Sequence, residues 1–207
     1  MGVHATLHDV TDKKDERRRA TYEDVLNAPE HMVAEIIDGV LYLSPRPAFP
    51  HARATTILAT DLVGPFDRGR GGPGGWRIFF EPELHFGEDV VVPDIAGWRI
   101  SRMPDEPTEA FATLAPDWLC ETLSPSTEKL DRTKKLRVYA REGVPHVWFV
   151  DPKRQTLEVF KLHGANLVTQ ATYRASERVR VEPFDAVELE LAFLWGEPSK
   201  RSGSPEE

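Results

Sequence analysis

Asp117-Trp118-Leu119-Cys120-Glu121-Thr122-Leu123-Ser124-Pro125-Ser126-Thr127 is the stretch on which the fold turns. Asp117–Leu123 reads as a strand, and Thr127–Glu142 reads as a helix stopped by Gly143 and Pro145. His146–Asp151 is strand-like again, so one long helix joins two central strands. With a period of two, Leu119, Glu121 and Leu123 share one strand face, and Glu121 interrupts an apolar surface. Asp131, Lys135 and Tyr139 are spaced i, i+4, i+8 and share one helix face. Lys134 is the neighbouring alternative if the helix is rotated.

Working outward, Thr21 caps a short helix through Leu26, ended by Pro29. Val33–Leu43 reads as a hairpin around Asp38-Gly39, and His51–Phe66 as a helix. Two strands follow, Trp76–Phe86 and Val90–Ile100, around Gly87-Glu88-Asp89. Pro104–Pro116 is mostly loop, and Thr156–Leu162, Leu167–Tyr173 and Arg178–Pro183 are strand-like. The order is α+β with a strand-rich centre. Residues 1–20 read as a disordered polar arm, 21–195 as a single domain and 196–207 as a disordered tail.

Two further carboxylates break apolar strand faces. Glu35 shares its face with Val33 and Ile37, and Asp94 with Val90, Val92, Ala96 and Trp98. An ionised carboxylate buried without a partner costs several kcal/mol, so each needs a cation, a donor or a shifted pKa. A single one reads as a structural ion pair or a sheet-end residue; three together point to a site. The helix after Glu121 offers the cation. Its N-terminal amides, with the hydroxyls of Ser124, Ser126 and Thr127, can meet a phosphate or simply cap the helix.

Composition narrows the classes. The chain has 207 residues, 26 Lys plus Arg against 34 Asp plus Glu, and a net charge of −8. That excludes a protein that coats nucleic acid by bulk charge. The charge is segregated: residues 21–127 carry a net −10, and residues 128–154 a net +4. A lone Cys120 excludes a disulfide scaffold. No run reaches the ~20 apolar residues of a membrane helix, and no secretory signal is visible, so a cytoplasmic protein is expected. Met1-Gly2-Val3-His4-Ala5-Thr6 matches only a weak myristoylation pattern.

Other motifs lead to packing rather than chemistry. Gly69-Arg70-Gly71-Gly72-Pro73-Gly74 spells G-x-G-x-x-G, yet it follows a helix and leads into a strand, the reverse of a dinucleotide site. The seven histidines lack zinc spacing. The five tryptophans fall mainly in strands and read as core. Cys120 points opposite to Glu121 and reads as a buried thiol.

Several segments together carry a resemblance: Glu35-Ile36-Ile37-Asp38-Gly39, Pro93-Asp94, Glu121 through Thr127, Asp131, Lys135, Tyr139, Gly143-Val144-Pro145 and Val147 through Pro152. From Thr21 to Leu194 this order resembles the Uma family of putative restriction endonucleases, placed in the PD-(D/E)XK nuclease superfamily. The resemblance implies a restriction-endonuclease-like core, a central mixed β-sheet flanked by helices, with extra β-hairpins. It also implies a metal-dependent endonuclease acting on DNA phosphodiesters. The usual lysine two residues after the second acid is absent, since Leu123 stands there, and the family's helix lysine maps to Lys135.

On that resemblance Asp94, Glu121 and Lys135 are the catalytic set. Asp94 and Glu121, with Glu35 as a further ligand, would hold Mg²⁺ or Mn²⁺ through oxygen. Lys135 would orient water or stabilise the transition state. His51, Lys134 and Tyr139 are accessory candidates, and Lys129, Arg132 and Arg137 (with Lys134) are candidates for DNA contact. The partners expected are duplex DNA and a second copy in a homodimer, with no membrane. The alternatives are a catalytically silent DNA-binding protein on the same fold, or a partner-binding protein whose carboxylates form only an ion network.

Overall fold

The computed structural model describes residues 18–196. The arm before Arg18, with its Met1–Thr6 pattern, and the tail after Gly196 lie outside the described residues. The last residues assigned to the arm pack on the domain: the Ala20 N–H donates to the Gly39 carbonyl at 2.9 Å.

Helix α1 (Tyr22–Leu26) begins after Thr21, whose N–H donates to the Asp24 carboxylate at 2.8 Å, one half of a capping box. Strands β1 (Met32–Ile37) and β2 (Val40–Pro45) form the expected hairpin. Asp38 (φ 55°) and Gly39 (φ 75°) are both left-handed, as a two-residue turn that matches strand twist requires. Helix α2 (Phe49–Leu62) starts two residues earlier than expected and continues into a π-helical turn, Val63–Asp67.

The next two expected strands are each broken in two. They become β3 (Trp76–Phe80), β4 (Glu83–Phe86), β5 (Asp89–Val91) and β6 (Ile95–Arg99). Pro82 and Pro93 stand at the breaks, where a residue without an N–H cannot continue a ladder. The outer halves β3 and β6 join one sheet and the inner halves β4 and β5 another, so a single hairpin spans both. This break also resets the side-chain phase: Val91 packs in the cluster that holds Ala96 and Trp98, while Val90 is buried outside it and Val92 is half-buried.

Strand β7 (Phe111–Ala112) is brief and β8 (Trp118–Thr122) is central. Helix α3 runs from Glu128 to Arg141, with a π-helical turn at Asp131–Lys135. Then come β9 (His146–Asp151), β10 (Thr156–His163) and β11 (Asn166–Arg174). The last expected strand shrinks to β12 (Arg178–Val179), which pairs with an unexpected β13 (Leu189–Glu190). A short α4 (Ala192–Trp195) closes the described chain.

The six-stranded sheet has the order β11-β10-β9-β8-β6-β3, and the five-stranded sheet β2-β1-β5-β4-β7. Strands β8 and β9 are parallel and joined by α3, the crossover expected from the sequence. The central strands of the large sheet are buried on both faces, and strand alternation divides them. Trp118, Cys120, Trp148 and Val150 pack with Leu58 and Leu62 of α2 and with Phe184. Leu119, Leu123, Val147 and Phe149 pack with Ile37, Leu84 and Val91 of the small sheet and with Val138 and Tyr139 of α3. Four of the five tryptophans are buried and Trp195 packs at the edge, as core residues. The glycine-rich segment is a loop between Asp67 and β3. Among the described residues no helix is long and apolar enough to cross a membrane.

Candidate active site

The floor of the site follows from strand register. Ile95 lies opposite Cys120 at the end of the β6–β8 ladder, and Asp94, one residue before β6, is near enough for its charge to oppose the ionisation of Glu121. A like charge nearby disfavours the charged form of a carboxyl. The Asp94 Oδ2 atom accepts the Thr122 N–H at 2.6 Å and stands 3.3 Å from His51 Nε2 on the first turn of α2. Thr55, one turn along α2, bonds Thr122 through their hydroxyls at 2.8 Å and fixes the helix to the strand.

The cation comes from α3. Lys135 Nζ lies 2.8 Å from Glu35 Oε1, 2.8 Å from Glu121 Oε1 and 3.8 Å from Asp131 Oδ1. It also donates to the Val92 carbonyl at 3.2 Å, while the Val92 N–H donates to Glu35 Oε1 at 2.8 Å. The Tyr139 hydroxyl donates to Glu121 Oε1. Asp131, Lys135 and Tyr139 are all buried on one helix face, and the widened π turn sets Asp131 and Lys135 against the same floor. Burial separates the two lysines: Lys135 is inside, and Lys134 is at the surface, 3.1 Å from Asp38.

One ammonium among several carboxylates sets the protonation of the cluster. Burial pulls Lys135 down, and the attraction of Glu121 and Glu35 overcomes it, so its pKa is held well above the ordinary lysine value. Burial raises Glu121 well above the carboxylate range against the pull of Lys135. Burial pushes Asp131 up to about 6, against the opposing pull of Lys135. Folded Asp131 therefore holds its proton where the unfolded chain has lost it, and its ionisation works against stability as pH rises through about 6. Asp131→Asn is expected to gain about 1 kcal/mol on the native protein between pH 5 and pH 8. Urea unfolding at both pH values checks this; parallel stability curves would refute it.

The cluster opens into a pocket of about 280 Å³, walled by β1, the segment Ser44–Ala48, α2, Glu81 and Ser124–Thr127. Glu81 was not among the sequence candidates. It sits at the β3–β4 break with φ 45°, and its N–H donates to the Asp94 carbonyl at 2.9 Å. Burial and the nearby Asp94 raise its carboxyl, and Arg46 lies 3.9 Å away. The only sequence signal for it was Pro82, a break inside an expected strand.

The expected basic surface is only partly free. Arg132 turns inward and bonds Glu158 through two nitrogens, at 3.0 and 2.5 Å, and Glu128 at 3.0 Å. A guanidinium held in this bidentate way has its charge matched by carboxylate. Arg137 lies 3.4 Å from the same Asp38 as Lys134. Lys129 alone of the four makes no ion pair among the described residues, and it lines a groove beside Ser126. The Ser124 hydroxyl accepts the Thr127 N–H at 3.3 Å, so local capping occurs whatever else this turn binds. Cys120 is buried on the opposite sheet face, where burial pushes its thiol up.

For a metal, the floor offers two hard oxygen donors, Asp94 and Glu121. Glu121 and Glu35 each spend Oε1 on Lys135, with Tyr139 and Val92 respectively as second donors. Among the described residues no three His, Cys, Asp or Glu side chains converge as a preformed cage. That donor set suits Mg²⁺, which is commonly held by one or two carboxylates and keeps water and substrate phosphate as its other ligands.

No curated protein matches this chain. The crystal structure of a putative nuclease belonging to DUF820 from Anabaena variabilis superposes with a TM-score of 0.67 at 25% identity, covering 86% of this chain and 98% of that one. The fold is thus the restriction-endonuclease-like α+β core. Residues 19–193 match the family described as "Putative restriction endonuclease", Uma2. With all but the ends of the chain inside that match, this protein belongs to the Uma2 family.

Proposed function

We propose that this chain is a metal-dependent endonuclease that hydrolyses DNA phosphodiester bonds in the Asp94–Glu121–Lys135 pocket. The observation that carries the reading is the convergence of Asp94 and Glu121 in one pocket, with a buried lysine ammonium 2.8 Å from Glu121. Asp94 and Glu121 would hold Mg²⁺ or Mn²⁺, with Glu35 contributing through a water. A divalent ion so bound supplies charge neutralisation at the phosphate and a more acidic water.

The remaining work belongs to the protein. The Thr122 N–H fixes the Asp94 carboxylate, which lines the pocket. Tyr139 and Lys135 fix Glu121 from the helix side. Lys135, kept charged by its carboxylates, places a positive charge beside the negative charge that grows on the phosphoryl oxygens. His51 Nε2 stands beside Asp94 and can pass a proton to or from water at the pocket mouth. A two-fold dimer would bring two such pockets to the two strands of a duplex.

Supercoiled plasmid in Mg²⁺ or Mn²⁺ tests the reading. Conversion to nicked circles is expected with either metal and none with EDTA, and calorimetric titration should show heat on adding Mn²⁺. A DNA mobility shift without metal, heat or nicking would instead identify a silent DNA-binding protein.

A further inference from the structure

The acidic pocket continues beyond its own walls. Ser44 of β2 and Ser126 of the turn before α3 line it, and both also line a second groove of about 390 Å³ between β2 and α3. Strand register joins the two. Tyr42 lies opposite Glu35 and Ser44 opposite Val33 in the β1–β2 ladder, and residues directly opposite each other carry their side chains on one sheet face. Glu35 and Val33 line the pocket, and Tyr42 and Ser44 line the groove. The groove is therefore the pocket extended one strand outward. Helix α3 makes the matching wall, with Asp131 and Lys135 on the pocket and Lys129 and Lys134 on the groove.

Charge changes where the two meet. In the pocket, carboxylates outnumber cations, and both cations stand beside carboxylates: Lys135 at Glu35 and Glu121, and Arg46 3.9 Å from Glu81. No carboxylate lines the groove. Lys129 is exposed there and makes no ion pair among the described residues. Lys134 pairs with Asp38 at 3.1 Å, but both side chains are more than a third exposed, and such a pair contributes little. The Ser126 and Tyr42 hydroxyls are donors of the kind that hold phosphate oxygens. The substrate of an endonuclease continues past the bond that is cut. A metal and Lys135 can hold one phosphate in the pocket, yet its neighbours are repelled wherever carboxylates face them. On the α3 side the groove replaces that repulsion with attraction.

We infer that the strand being cut passes between Ser44 and Ser126 into the β2–α3 groove, where Lys129 and Lys134 hold the phosphates next to the scissile one; this rests on the nuclease reading of the pocket. Contacts of this kind follow one backbone of a duplex and read no base sequence. Fluorescence anisotropy of a labelled duplex in EDTA, repeated over a range of potassium chloride, tests it. Nothing is cut there, and the salt slope counts phosphate contacts. Lys129→Ala is expected to reduce the slope of log K against log salt by about one unit, and Lys129→Ala with Lys134→Ala by about two. Lys153→Ala removes the same charge from an exposed residue between β9 and β10, outside the groove, and should leave the slope unchanged. Equal slopes for the native protein and the double variant, equal losses from Lys153→Ala and Lys129→Ala, or no binding of the duplex would overturn the inference. Plasmid nicking is scored separately. Nicking by the native protein with slopes that ignore the groove lysines removes only this inference, and a groove-dependent slope without nicking removes only catalysis.

Discussion

Lys135→Met is expected to lower stability by about 3–5 kcal/mol, which in a chain of this size is a fall in Tm of about 10 °C or more. The side chain is buried, and its ammonium is the counter-charge to Glu35, Glu121 and Asp131. Removing it leaves carboxylates in a dry environment with no cation, and each must then take up a proton or draw in water. The loss should be greatest at alkaline pH and smaller near pH 5, where Asp131, with a pKa of about 6, is already mostly protonated. Combining Lys135→Met with Glu35→Gln and Glu121→Gln should recover much of the loss, because a neutralised pocket no longer needs its cation. Thermal unfolding of the single and triple variants decides the matter. A single variant that melts within a few degrees of the native protein would show that the ammonium is not what holds these strands and helix together.

Asp94→Asn and Glu121→Gln are each expected to reduce metal-dependent nicking by about 10³-fold with little change in fold. The amides keep the key hydrogen bonds, since asparagine can still accept the Thr122 N–H and glutamine the Tyr139 hydroxyl. They remove the negative charge that would bind the cation. Circular dichroism on the same samples separates loss of chemistry from loss of structure. If both variants retain the same nicking as the native protein, the activity belongs to a contaminant and the site assignment falls.

Much of this site was legible because it lies on two regular periods. Alternation on β8 placed Glu121 opposite in direction to Cys120, and helical spacing placed Asp131, Lys135 and Tyr139 together. The Asp38-Gly39 turn was equally legible, since two successive left-handed residues demand that chemistry. What escaped was whatever depends on partners distant in sequence. Nothing in an alternating run from Trp76 to Ile100 announces that its two halves belong to different sheets, although Pro82 and Pro93 mark the breaks. Glu81 was hidden for that reason, sitting in the break itself. Arg132 carried the right charge for a DNA contact, but its fate was decided by Glu158, on a strand beyond the crossover.

The crossover β8–α3–β9 also sets an order of events during synthesis. Glu35, Asp94 and Glu121 leave the ribosome before Lys135, since chains are made from the N-terminus. All strands of the small sheet are complete by Ala112, while the ammonium that lets its inner face dock in the dry state is still to be translated. Until residue 135 emerges, closing the two sheets over Glu35 and Glu121 requires each carboxylate to take up a proton or keep water, at a cost of several kcal/mol. Electrostatics thus makes α3, which carries Lys135, the element whose arrival removes that cost.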